Sequence, residues 1–193
     1  MALGGNGRTM NYKYRQMKNI LAIKPIDSKS SQSFQLGISI NQSGIKRNLD
    51  FVVSRRKLKN TKVSELAASS NSATQVCEKL NALLAGSTVY CERYAQNLEL
   101  ISQLFESAGI MREFQVRPIE KLIPEISLNA WIDCKQRLFA QLGLDASIAK
   151  ADASVSAKIL ERLAGESLPI YSAQLDEWCK SFTSKSVAQS KVA

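Results

Sequence analysis

The chain has 193 residues, 45% of them hydrophobic, with 26 Lys/Arg against 17 Asp/Glu, a formal charge of +9, four cysteines and no histidine. That length serves one domain, or one domain with an arm, and is enough to bury a core. The missing histidine excludes Ser-His and Cys-His nucleophile pairs and histidine-ligated metals, and no apolar run approaches the ~18–20 residues of a membrane span.

The positive charge is confined to the first third. Residues 1–62 carry 13 Lys/Arg and 2 Asp/Glu, whereas residues 63–193 carry 13 and 15. Such asymmetry points to a polyanionic partner, nucleic acid above all. The first eight residues lack the apolar block of a secretory signal, so a reducing cytoplasm is the expected setting. No Walker loop, dinucleotide glycine fingerprint or calcium loop occurs. Neither a cofactor nor a catalytic role is expected. Cys77, Cys91, Cys134 and Cys179 form no Cys-x-x-Cys pair. They read as packed thiols in helices, with no metal among them.

In chain order, residues 1–33 read as a basic, partly disordered arm. Tyr12, Lys13, Tyr14, Arg15 and Lys18 interleave rings and cations, a composition that can stack on bases and pair with phosphates. Whether Asn11 to Ala22 is helix or strand stays open. Next comes the most patterned stretch. Phe34, Leu36, Ile38 and Ile40 alternate with polar residues, as do Ile45, Leu49, Phe51 and Val53, and Asn41 to Gly44 joins the two runs. Period two on both sides of a turn predicts a hairpin with one apolar and one polar face. The polar face carries Gln35, Ser39, Lys46, Asn48 and Asp50, and Arg55, Arg56, Lys57, Lys59 and Lys62 follow.

The period then becomes helical. Val63–Ala68 and Ala73–Leu84 are two short helices, the second capped by Ser72. Residues 34–86 thus form a ribbon plus two helices, and 87–182 a helical body. Its helices are expected over Thr88–Ala108, Leu128–Leu142 (capped by Ser127), Ala146–Lys150 (capped by Asp145), Ala153–Ala164 and Ile170–Phe182. Residues 183–193 read as a frayed tail. The expected fold class is mainly α, with an N-terminal β-hairpin preceding a helical bundle.

The pattern Val63-x-Glu65-Leu66-Ala67, Ser72, Val76, Leu80-x-x-Leu83 resembles helix-turn-helix DNA-binding modules. The order strand, helix, helix from Ile45 to Leu84 is also similar to ribbon-helix-helix regulators. The second resemblance implies a strand laid in the DNA groove by each of two subunits. Lys46, Arg47 and Asn48 would then contact DNA from the ribbon, and Arg55, Arg56, Lys57, Lys59 and Lys62 would meet phosphates. The resulting expectation is a homodimeric, sequence-specific DNA-binding protein, a transcriptional regulator of bacterial or mobile-element type. The alternatives are an RNA-binding nucleocapsid or coat-type protein, and a helical adaptor in a secretion or transfer apparatus whose hairpin adds an edge to a partner's sheet.

Overall fold

A computed structural model describes residues 19–27, 30–42, 45–54, 72–123, 126–163, 168 and 172–189. Its centre is a five-stranded mixed sheet. The strands are β1 (Asn19–Asp27), β2 (Ser30–Gln42), β3 (Ile45–Ser54), β4 (Thr88–Cys91) and β5 (Gln115–Pro118), in the order β3-β2-β1-β4-β5. β1, β2 and β3 form an antiparallel meander, and β4 and β5 add on the other side of β1, parallel to it and to each other. The α-helices among the described residues are α1 (Ala73–Leu84), α2 (Tyr94–Ala108), α3 (Leu128–Leu142), α4 (Ala149–Leu163) and α5 (Ser172–Gln189).

This corrects the expected fold class. The chain is not a hairpin in front of a helical bundle; its helices cover both faces of a central sheet. The hairpin itself forms as β2–β3, with Phe34 opposite Val53, Leu36 opposite Phe51 and Ile38 opposite Leu49. Its apolar face packs with Leu21 and Ile23 of β1 against Val76 and Leu80 of α1 and Ile101 and Phe105 of α2. The opposite face of β1, with Ile20 and Ala22, joins a second core of Trp131 and Leu138 from α3, Ile159 from α4 and Trp178 from α5. A strand buried on both faces reads as a continuous apolar run rather than an alternating one. Ile20-Leu21-Ala22-Ile23 is such a run.

Other corrections have equally local causes. The single helix expected over Thr88–Ala108 is β4 followed by α2, with Arg93 at the joint in the left-handed region (φ 47°). The stretch before Pro118 contains β5. Both strands have four residues, too few for alternation to show. Cys91 therefore lies on a strand. All four cysteines are buried and unpaired, and burial pushes the Cys77 thiol up to about 11 and the Cys91 thiol to about 12. The helices expected over Ala146–Lys150 and Ala153–Ala164 merge into α4, and Asp145 caps only the preceding turn, accepting from the Ser147 N–H at 2.8 Å. α5 runs beyond Phe182. Ser72 and Ser127 cap α1 and α3 as expected, Ser72 within a capping box completed by Gln75. The helix expected over Val63–Ala68 lies outside the described residues.

The polar face of the hairpin is covered by α4. The Ala149 N–H donates to Gln35 Oε1 at 3.3 Å, and Gln35 and Ser39 are buried. The approach is closest at Gly37, where an added Cβ would stand 2.2 Å from the Ala149 carbonyl carbon and oxygen. These are backbone atoms of a helix start and cannot swing aside, so glycine is required for the close approach. Gly37→Ala should displace α4 from the sheet and lower the unfolding free energy by about 2 kcal/mol or more, as overpacking of a tight interface does. Denaturant unfolding of the two proteins measures this directly, and equal midpoints would mean that α4 does not sit on Gly37.

Candidate functional site

β1 is the point where the topology divides. The chain leaves it leftward into the meander and later returns to place β4 on its right. In open α/β sheets, such a switch opens a crevice beyond the carboxyl ends of the strands. Register places Leu21 beside Cys91, so Lys24 on β1 and Glu92 just after β4 both lie at that end. Both have the parity of Ile20 and Tyr90, which face α3 and α4. A cavity of about 390 Å³ opens here, lined by Lys24, Glu92, Arg93, Lys135 and Asp152, with Leu128 and Ile132 of α3 as its apolar wall. Leu128 and Ile132 are half-exposed although large and apolar.

The charged groups form one network. Asp152 of α4 accepts from Lys24 Nζ on one oxygen and from Lys135 Nζ on the other. Lys135, on α3, also reaches Glu92 Oε1 at 2.5 Å. That oxygen accepts further from Trp131 Nε1 at 2.7 Å and Ser156 Oγ at 3.4 Å. Lys135 and Asp152 are each only 6% exposed. Burial by itself would raise the Asp152 carboxyl. The Lys135 charge and the hydrogen bonds from Lys135 and Lys24 outweigh it and hold the group below the ordinary carboxylate value.

Arg93 stands at the mouth. It is the one non-glycine residue with positive φ among the described residues, and it precedes α2 without a side-chain cap. It makes no ion pair with any described residue. A second cavity, of about 320 Å³, lies between the β1–β2 hairpin and α2 and shares Ile23, Arg93 and Asn97 with the lining of the first.

The residues expected to touch nucleic acid are placed differently. Lys46 is exposed on β3 and pairs with Glu161 of α4 at 2.5 Å. Asn48 Nδ2 donates to Ser154 Oγ at 3.3 Å, and the neighbouring Asp50 pairs with Lys150 at 3.5 Å. Arg47 is exposed and has the opposite parity. Arg55, Arg56, Lys57, Lys59 and Lys62 lie outside the described residues. The cleft residues were not among the sites expected from sequence, although a signal was present. Lys135 falls within the buried stripe of α3, between Cys134 and Leu138, and Asp152 within that of α4, beside Ala149 and Ala153. A charge on an apolar stripe is a charge with a partner.

No group of three or more metal-ligating side chains occurs among the described residues, and no helix there is long and apolar enough to cross a membrane. No protein-family model matches the chain, and no curated protein matches it.

Two outcomes follow from this geometry. Asp152→Ala leaves Lys135 buried with Glu92 alone and should cost about 3 kcal/mol, whereas Lys24→Ala, whose ammonium is partly solvated, should cost less than about 1 kcal/mol; chemical denaturation of both variants gives the comparison. The folded-state pKa of Asp152 lies below its unfolded value. Its ionised form therefore stabilises the fold above the unfolded carboxylate pKa of about 4, and that stability drains away as pH falls through the lower folded value. Asp152→Asn should flatten this acid limb of the stability curve. A variant curve parallel to the wild-type one down to low pH would contradict the assignment.

Proposed function

We propose that this chain is a cytoplasmic nucleic-acid-binding protein, a homodimeric DNA-binding regulator that grips its ligand at the carboxyl end of the sheet and does not cut it. One observation carries the reading. β3 runs in the same direction as β1, because each is antiparallel to β2. Ser54, its last residue, is paired with Ser33, close to Pro25 and Lys24 along the sheet. β3 therefore ends, at Ser54, on the side of the sheet where the cleft opens, and Arg55, Arg56, Lys57, Lys59 and Lys62 come next in the sequence. Cations concentrated on one side of a domain are the electrostatic footprint of a phosphate backbone.

Binding without cleavage fits the chemistry of the cleft. Metal-assisted phosphoryl transfer needs carboxylates available to hold divalent ions. Here Asp152 and Glu92 already hold ammonium groups. Base reading from the ribbon falls to Arg47, since Lys46 and Asn48 are engaged by α4. Among the described residues β3 is an edge strand of the sheet. Its outer edge would pair with the same strand of a second copy, which keeps the ribbon-helix-helix likeness as the proposed mode of dimerisation.

The decisive variant is Arg55→Glu with Arg56→Glu. It should weaken duplex DNA binding at least tenfold and reduce the slope of log K against log salt by about 2, near 0.9 for each phosphate no longer neutralised. Fluorescence anisotropy at several salt concentrations, with duplex, single-stranded DNA and RNA as probes, reads both quantities. Undiminished affinity for all three probes would sink the proposal. A preference for RNA with growth into large particles would replace it with a coat-type role.

A further inference from the structure

We infer that the second cavity, between the β1–β2 hairpin and α2, is a pocket for a single unpaired nucleobase, with Arg93 holding the attached phosphate. The inference rests on the nucleic-acid reading above and names the chemical unit that the cleft end admits.

The pocket has the composition such a ligand needs. Its apolar surfaces come from Phe34, Pro25 and Leu100, and its amides from Gln96 and Gln103, whereas the amide of Asn97 donates to the Glu92 carbonyl at 2.6 Å. A base is a flat apolar plate with hydrogen-bonding edges, and a site that receives one combines apolar walls with a few donors and acceptors. Amide side chains offer both kinds of group from one plane. Gln103 Nε2 donates to Glu99 Oε1 at 3.2 Å on the exposed rim, where Glu99 is the one acidic residue among the described lining residues. That carboxylate disfavours a phosphate on its own side. The phosphate is directed to the opposite end, where Arg93 lines both cavities and Lys24 lines the larger one. A duplex step keeps its bases stacked and paired, so the pocket admits a nucleotide only from a single strand, a frayed end or a flipped position.

The test uses the full chain and two probes, adenosine 5′-monophosphate and ribose 5-phosphate, observed by saturation-transfer NMR and titration calorimetry. The expected result is binding of the nucleotide, with saturation transferred to its base protons, at least tenfold tighter than the base-free sugar phosphate. Leu100→Trp, on the half-buried side of the pocket, should fill it and lower nucleotide affinity about tenfold while leaving ribose 5-phosphate unchanged. Gln103→Ala, at an exposed position, should weaken the nucleotide severalfold without lowering the melting temperature, which guards against a folding artefact in the tryptophan variant. Equal binding of the two probes, or nucleotide binding unmoved by both substitutions, overturns the inference. If the Arg55/Arg56 variant loses duplex binding while no mononucleotide binds the wild type, the pocket proposal fails and the nucleic-acid reading survives. If the nucleotide binds as described but no strand does at any salt, the pocket stands and the nucleic-acid reading falls.

Discussion

Asp152, itself buried, sits between two lysines, and the architecture of this protein turns on that ion triplet. Lys24 comes from the central strand and Lys135 from α3, and through Lys135 the network continues to Glu92 at the end of β4. Four elements from distant parts of the chain are thereby bound at one point. Hydrophobic burial holds α3, α4 and α5 on the sheet, but it is non-directional and would tolerate sliding. Buried charges do not tolerate it, because a shift of one helix turn would leave an ammonium or a carboxylate unpaired. The ion network sets the register in which the second core packs. The same network closes the floor of the cleft, so whatever enters meets balanced charge at the bottom and a cation, Arg93, at the mouth.

The sheet carries two cores of different construction. On the α1/α2 side the core is apolar, with Leu36, Ile38, Val76, Leu80 and Ile101 fully buried. On the other side, α4 crosses the meander over Gly37, Gln35 and Ser39, and the interface includes hydrogen bonds and ion pairs. A polar strand face is commonly read as a surface for water or a partner. Here a helix is the partner. Small side chains on α4, among them Ala149, Ala153 and Ser156, let it lie close enough for Gln35 to meet the helix backbone. Gln35, Lys46, Asn48 and Asp50 of the hairpin are thus accounted for within the fold. Of the cations that the sequence pattern assigned to a polyanion, Arg47 and those outside the described residues are left for that role.

What could be read in the sequence was what neighbouring residues determine among themselves. The β2–β3 hairpin was legible because both strands alternate over many residues around a turn. The caps at Ser72 and Ser127 and the helix stop at Gly143, whose φ is 62°, were legible because each involves one turn of chain. β1 was obscured by being buried on both faces, which removes the alternation. β4 and β5 were obscured by having four residues each. The cleft was legible only as anomalies, a lysine and an aspartate inside apolar stripes. That they meet each other, and that Lys24 from the first strand meets them, is a consequence of tertiary packing that no local pattern encodes.

Arg93 brings the structural and functional lines together. A left-handed conformation costs a residue with a side chain roughly 1–2 kcal/mol, and glycine would avoid most of that cost. The surrounding structure enforces the conformation, since β4 must end and α2 must begin within the two residues Glu92 and Arg93. The turn could have been made by glycine with a gain in stability. Arginine there instead places a cation in the lining of both cavities, and strained backbone of this kind concentrates where a side chain has to be presented to a ligand. Arg93→Gly separates these effects. It should raise the unfolding free energy by roughly 0.5–1 kcal/mol, because the relief of left-handed strain exceeds the added entropy of an unfolded glycine. It should also weaken the binding of a phosphate-bearing ligand. A thermal melt and a nucleotide titration on the same sample decide it: stability and binding that both fall would show that the arginine serves the fold alone, and binding that stays would show that it takes no part in holding the ligand.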